Sequence, residues 1–342
     1  MAQPGDPYVY IGSYTPATDG RGTGITVCRQ DPRTGDLTPV GDPVATPSPS
    51  YLVVHPNGHM LYAANELEPH GHVTSYAIAP DGTLTPVGTV PTGGSAPCHL
   101  AVGPGGRFVL TANYGDGVVS VHPIGSNGAA GPYRERIRHS GEGPVADRQS
   151  AAHAHQVVFD GDTLLVCDLG SDRVWRYQFT HSTAQPDGAL QVPAGTGPRN
   201  LAFAGEPARA WVVGELDPVV LGLPDGDPVP IATADAGARN HPSAIVASPD
   251  GRFLYVGNRG PDTVAVFAVE ADTVRQIGEV SVGGAWPRDL ALIGDFLYVA
   301  AQDSDAVTAL RRDPATGLLA AATVALKTGS PACVAAGVRR AG

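Results

Sequence analysis

The chain has 342 residues, 33 of them acidic and 22 Lys or Arg, for a net charge of −11. That surplus argues against nucleic acid or an anionic membrane surface as a partner. No run of about eighteen apolar residues is present, so no membrane helix is expected.

The opening residues, MAQPGDPYVY, lack the basic and then apolar pattern of a signal peptide, so a cytoplasmic location is expected. Cys28, Cys98, Cys167 and Cys333 lie far apart with no C-x-x-C spacing, which predicts reduced thiols rather than zinc or a disulfide framework.

Residues 1–6 read as a tail. Three strand-like runs follow, Pro7 to Tyr14, Gly24 to Asp31 and Leu37 to Val44, with a polar, Gly-rich loop from Thr15 to Arg21. From Pro49 onward one unit recurs. Its most regular copy is PSAIVASPDGRFLYVGNR, Pro242 to Arg259. Ala244 to Ala247 is a small apolar run, Pro249-Asp250-Gly251 is turn chemistry, and Phe253 to Val256 is the aromatic and β-branched composition of a strand.

Copies start at Pro49, Pro97, Ala154, Pro198, Pro242, Pro287 and Pro331, at spacings of 48, 57, 44, 44, 45 and 44 residues. A repeat in this range, holding four short strands per period, predicts propeller blades. The last copy has one strand left before the chain ends, and the N-terminal runs supply the other three. The expected fold is therefore all-β: a seven-bladed β-propeller of four-stranded antiparallel blades. It is one domain over residues 1–342, with 7–44 and 331–338 forming the closing blade. Such closure removes a free sheet edge. The surplus in blade two, Gly125 to Ser150, reads as a long loop, functional or mobile. Blade four is thin between Val219 and Ile231, where Pro and Asp are dense. Arg339 to Gly342 reads as a frayed tail.

The repeat also predicts which side chains meet. The first two strands of each blade are antiparallel, so the start of one and the end of the other share a rim. That rim gathers Cys98-His99 with Asn113-Tyr114, His153 and His155 with Asp168, and Arg199-Asn200 with Glu215. It also gathers Ser243 with Asn258-Arg259, Arg288-Asp289 with Gln302-Asp303, Ser50 with Asn65-Glu66, and Ser13-Tyr14. The opposite rim receives turns such as Asn57-Gly58 and Asp250-Gly251. Convergent polar groups in a concavity mark the first rim as the expected site.

The segments YVYIGSYT, LYAANE, PCHLAV, LTANYGDGVVSV, HAHQVVF, DLGSDRV, GPRNLAF, LYVGNRG and WPRDLAL, in this order and spacing, resemble the lactonase family of seven-bladed propellers. That is the family of bacterial 6-phosphogluconolactonase and fungal carboxy-muconate cyclase. The resemblance covers nearly the whole length. It implies a catalytic set of His153 or His155, Arg199, Glu215 and Arg288 on one face of the channel. The chain departs from the family's pattern at Asn200, where His is common, at Gly214, where Asn is common, and at Ala151-Ala152, where Gly-Pro is common.

Residue chemistry adds roles. Arg199 and Arg288 suit bidentate binding of a carboxylate or phosphate, and suit equally a structural pairing with carboxylates of neighbouring blades. Glu215 is either their counter-ion or the base that activates water. His153 and His155, two apart, are expected on one side of a strand, as acid or base or as packing residues. The pair also has the form of two metal ligands, but no third ligand is fixed, so no metal is expected. Arg259, His99 and Asn200 are expected as substrate contacts, as are Arg148 and Gln149 from the long loop. The expected function is hydrolysis of a small anionic sugar lactone, 6-phosphogluconolactone above others, without a cofactor. Nucleic acid and membrane are not expected partners, and the oligomeric state is left open, a monomer being compatible with the reading. A muconate-type lactonising cycloisomerase and a non-catalytic binding propeller stand as alternatives.

Overall fold

The computed structural model describes residues 8–180, 183–235 and 237–338. The tails expected at 1–6 and 339–342 lie outside these residues. Seven four-stranded antiparallel sheets form the molecule. The innermost strands are Pro49–Val54, Pro97–Val102, Ala154–Asp160, Pro198–Ala204, His241–Ala247, Pro287–Ile293 and Pro331–Ala336. Each packs on the next, and Pro331–Ala336 packs on both Pro287–Ile293 and Pro49–Val54, which closes the ring. Its blade is completed by Tyr8–Ser13, Ile25–Gln30 and Leu37–Pro39, with Val9 opposite Ala336 and Ile11 opposite Val334. Both ends of the chain therefore build one blade, as the repeat predicts.

Second strands carry the core. Met60–Asn65, Phe108–Asn113, Phe253–Arg259 and Phe296–Ala301 are buried along their whole length, because both faces meet a neighbouring blade. That is why they read as near-continuous apolar runs rather than alternating ones. Outer strands such as Leu84–Pro91 are mostly exposed or half-buried. A tyrosine recurs inside four second strands and donates its hydroxyl to a glycine carbonyl in the outer turn of the next blade. The pairs are Tyr62 to Gly128 at 2.8 Å, Tyr255 to Gly317 at 2.9 Å, Tyr298 to Gly35 at 2.8 Å and Tyr10 to Gly82 at 3.3 Å. A buried phenol needs such a partner.

One segment differs from expectation and another meets it. The surplus of blade two is not all loop, since Glu135–Arg138 inside it is the blade's fourth strand, with Ile137 opposite Val119. A single apolar residue among charged ones hid an edge strand that buries only one face. Blade four's outer strands shrink to Val219–Gly222 and the two residues Val229–Pro230. The Pro- and Asp-rich segment between them cannot sustain a ladder.

Candidate active site at the channel mouth

Every innermost strand carries one extra residue near its start relative to its partner strand. The register slips past Ser50, Cys98, His155, Arg199, Arg288 and Ala332, and across Ser243–Ala244 in blade five. A β-bulge re-aims the side chain at the slip. Here it turns six of these residues into the wall of one small cavity at the neck of the channel, about 20 Å3 in volume. Tyr51, His99, Asn200 and Asp289, each one residue further along, complete its lining.

The entry to four of the seven innermost strands is strained. Ser48, Ala96, Trp286 and Ser330, which precede the anchor prolines, have φ of 37°, 49°, 59° and 39°, in the left-handed region. Strain of this kind persists only when neighbours hold it. Aspartates from the preceding blade do so: Asp262 Oδ1 accepts the Trp286 N–H and Asp305 Oδ1 accepts the Ser330 N–H, both at 2.8 Å. Asp172 Oδ1 accepts the Gly197 N–H at 2.8 Å in the same way.

Glu215 is the hub of the rim. Arg148 Nη2 lies 2.6 Å from its Oε1, and Arg199 Nε and Arg259 Nη2 lie 2.9 and 2.8 Å from its Oε2. The Arg199 contact is off the hydrogen-bond axis, so it is ionic rather than directed. Burial pushes the Glu215 carboxyl up, but Arg259, Arg199 and Arg148 outweigh it and hold the group well below the usual carboxylate range. Three guanidinium groups against one carboxylate leave two positive charges in excess. The cost falls on the arginines. Burial, opposed by Glu215 and reinforced by Arg288, brings Arg199 below its ordinary value, and burial brings Arg259 down to about 10.

Arg259 is fixed by the His241 carbonyl at 2.9 Å and lies over the Trp286 ring, 5.3 Å from its centroid. Arg199 donates Nη1 to Asn200 Oδ1 at 2.7 Å, so the residue that replaces the family's His orients the arginine. Gly214 has no room for the family's Asn: a Cβ there would fall 2.4 Å from the Asp217 carbonyl oxygen.

Arg288 sits across the mouth. Its guanidinium covers the Tyr14 ring at 4.8 Å and faces Glu66 Oε1 at 3.8 Å, while the Tyr14 hydroxyl donates to Glu66 Oε2 at 2.8 Å. From this trio a polar cleft of about 650 Å3 opens, walled by Thr18, Asp19, Glu68 and Gln302.

The histidines separate. His155 lies in the neck, and burial together with Arg199 holds it well below its ordinary value, so it is neutral. His153 precedes the strand, stacks on Tyr114 with centroids 4.6 Å apart, and bonds the Tyr114 carbonyl through Nδ1 at 2.7 Å. A carbonyl only accepts, so Nδ1 carries the hydrogen and the Nε2 lone pair is left over in the neutral ring. The expectation that the two histidines share one side of a strand is corrected: the slip at His155 breaks the alternation. His99 stacks on Tyr51 at 4.0 Å, and burial pulls it down to about 3.

Gln149 is a second correction. It is wholly buried, and its amide donates to the Leu169 carbonyl and Asp172 Oδ1, both at 2.8 Å, and accepts from the Val145 N–H at 3.1 Å. It anchors the loop that presents Arg148 and offers a ligand nothing. Tyr14, Glu66, Tyr114 and Trp286 are site residues that the sequence does not single out as contacts. The rim rule that groups strand starts with strand ends is the signal for the first three. Among the described residues no group of three or more His, Cys, Asp or Glu is placed to hold a metal ion, and none of their helices is long and apolar enough to cross a membrane.

Seven four-stranded sheets in a ring, with an arginine cluster around Glu215 on one rim, define a seven-bladed β-propeller with a polar site at one end. The profile of one such family, described as "Lactonase, 7-bladed beta-propeller", matches residues 8–336. The chain is 30% identical to the 6-phosphogluconolactonase of Bacillus subtilis, over 95% of this chain and 97% of that one. It is 29% identical to the 6-phosphogluconolactonase of Formosa agariphila, over 91% and 94% of the two chains. Among solved structures, the periplasmic gluconolactonase of Pseudomonas aeruginosa matches with a TM-score of 0.85, 30% identity and coverage of 96% and 98%. A protein from Lactobacillus plantarum matches with a TM-score of 0.88 at 31% identity, covering 96% and 98%. The chain belongs to the lactonase family of seven-bladed β-propellers, enzymes that hydrolyse lactones.

Proposed function

We propose that this protein hydrolyses 6-phosphogluconolactone to 6-phosphogluconate. The observation that carries the reading is the charge imbalance at Glu215: Arg148, Arg199 and Arg259 surround one carboxylate and leave room in the charge balance for a dianion. A phosphate monoester near neutral pH has that charge. Two relatives carry this activity in their names. In the proposed mechanism Arg199 and Arg259 grip the phosphate, and Arg148 closes over it from its loop. Arg288, steadied by Tyr14 and Glu66, faces the lactone carbonyl and stabilises the oxyanion as it forms. Glu215 keeps the arginines apart and aligned, and Asn200 aims Arg199. His153 and His155 border the reacting end, where the neutral imidazole of His155 exchanges hydrogen bonds without adding charge. The polar cleft beside Arg288 takes the sugar hydroxyls. No cofactor is required for ester-like hydrolysis of this kind.

The test is a lactone panel with the Arg199→Ala variant. The phosphorylated lactone should exceed glucono-δ-lactone in kcat/KM by at least tenfold. Arg199→Ala should raise KM for the phosphorylated substrate at least thirtyfold, since truncating a buried partner of a charge pair costs about 2 kcal/mol or more. Turnover of a carboxy-muconate in place of any lactone would favour the cycloisomerase.

A further inference from the structure

Lactone hydrolysis needs a base for water, and most candidates on the rim are engaged or weakened. Both oxygens of Glu215 are engaged by arginines. His155 and His99 are held neutral in the neck and are too weakly basic there to keep a proton. Asp289 remains. It follows Arg288 at the slip in the sixth innermost strand and faces the neck cavity together with Arg199, Arg288, His155 and Ser50. One oxygen, Oδ2, accepts the Val334 N–H at 3.0 Å, and the Leu290 N–H and the Cys333 thiol also hydrogen-bond the carboxyl. The cavity, about 20 Å3, suits one water molecule.

Resting on the proposed lactone hydrolysis, we propose that Asp289 is the general base, acting on a water lodged in the channel neck beneath the substrate. Asp289 takes one proton of that water while the water oxygen bonds to the lactone carbonyl carbon. The carbonyl π pair moves onto its oxygen, which faces Arg288. Collapse restores the C=O bond and breaks the bond to the ring oxygen, which receives the proton from Asp289 and leaves as a hydroxyl. The products are the hydroxy acid and a regenerated carboxylate. Burial raises the Asp289 carboxyl to about 6, against the pull of the Val334 N–H, so it is largely ionised yet still basic near neutral pH. The groups that face it or lie close by are Tyr51 and Cys333 from the blades on one side and Arg199, Cys98, His99 and His155 across the neck.

The experiment compares wild type and Asp289→Asn on 6-phosphogluconolactone and on glucono-δ-lactone from pH 5 to 8, above the uncatalysed background. Asn keeps an oxygen for the Val334 N–H, so a merely structural role survives the change. Turnover by the variant should fall by about two to four orders of magnitude, with KM within about threefold of wild type. The wild-type kcat/KM should decline about tenfold per pH unit below pH 6 on both substrates; glucono-δ-lactone is included because the phosphate of the other substrate titrates near 6. A variant whose turnover stays within threefold of wild type overturns the proposal, as does a wild-type profile flat to pH 5 on glucono-δ-lactone. The second criterion stands even if the variant fails to fold. An active wild type with an active variant leaves the lactonase reading intact. A wild type that turns over neither lactone removes that reading and this one with it.

Discussion

At the scale of the residue, Glu215 decides the electrostatics. It is the one carboxylate among three arginines, so removing its charge leaves like charges packed in a dry site. Breaking a buried ionic cluster at one partner costs about 3–5 kcal/mol, and Glu215→Gln should lose that much in urea unfolding at pH 7. The pH dependence follows from the direction of the shift. The folded carboxyl sits below its unfolded value, so its stabilisation is complete above the unfolded value near 4.5 and is lost as pH falls toward the folded one. The gap between wild type and Glu215→Gln should therefore be full at pH 7 and narrow progressively below about pH 4.5. A gap independent of pH would mean that Gln acts through shape alone. Inorganic phosphate should restore part of the loss, because it supplies the missing negative charge.

At the scale of the element, the propeller depends on devices that repeat once per blade. The rim aspartates clasp the next blade's strand entry, and the core tyrosines clasp the next blade's outer turn. The second device separates a hydrogen bond from a backbone requirement. Tyr255→Phe removes one hydroxyl that donates to the Gly317 carbonyl and should cost about 1 kcal/mol. Gly317 has φ 75°, and a Cβ there would lie 2.3 Å from the Phe253 ring. Gly317→Ala should therefore cost more than Tyr255→Phe, about 2 kcal/mol or above, from strain and overpacking together. Chemical denaturation of the two variants gives the order, and the reverse order would mean the turn tolerates a side chain.

The same scale explains what can be read without coordinates. Blade starts are legible because a Pro anchor and a Pro-Asp-Gly-type turn recur at nearly fixed spacing. The shared rim of Arg199, Glu215, Arg259 and Arg288 is legible because antiparallel strands bring starts and ends together. The slip in each innermost strand is not. One extra residue leaves no mark on a short apolar run, yet it sets which of His153 and His155 reaches the neck. Gln149 eludes the sequence for a related reason: its burial is supplied by Leu169 and Asp172, some twenty residues on, and nothing local announces them.

At the scale of the whole molecule, the stability of the ring rests on Pro331–Ala336. This strand pairs with Tyr8–Ser13 and packs on the innermost strands of blades six and one. It contributes Cys333 and Val334 to the cores between those blades, and its Val334 N–H binds Asp289. A chain ended after Ser330 would expose the unpaired edge of Tyr8–Ser13, a buried strand throughout in the intact protein. Exposed apolar edges template pairing with other chains. The truncated protein should accumulate as soluble aggregate or inclusion bodies, and a synthetic peptide spanning 328–338, added during refolding, should recover monomer and lactone turnover together. Recovery of a stable monomer without the peptide would show that six blades and three strands suffice, and that the ring is held by its inter-blade clasps rather than by closure.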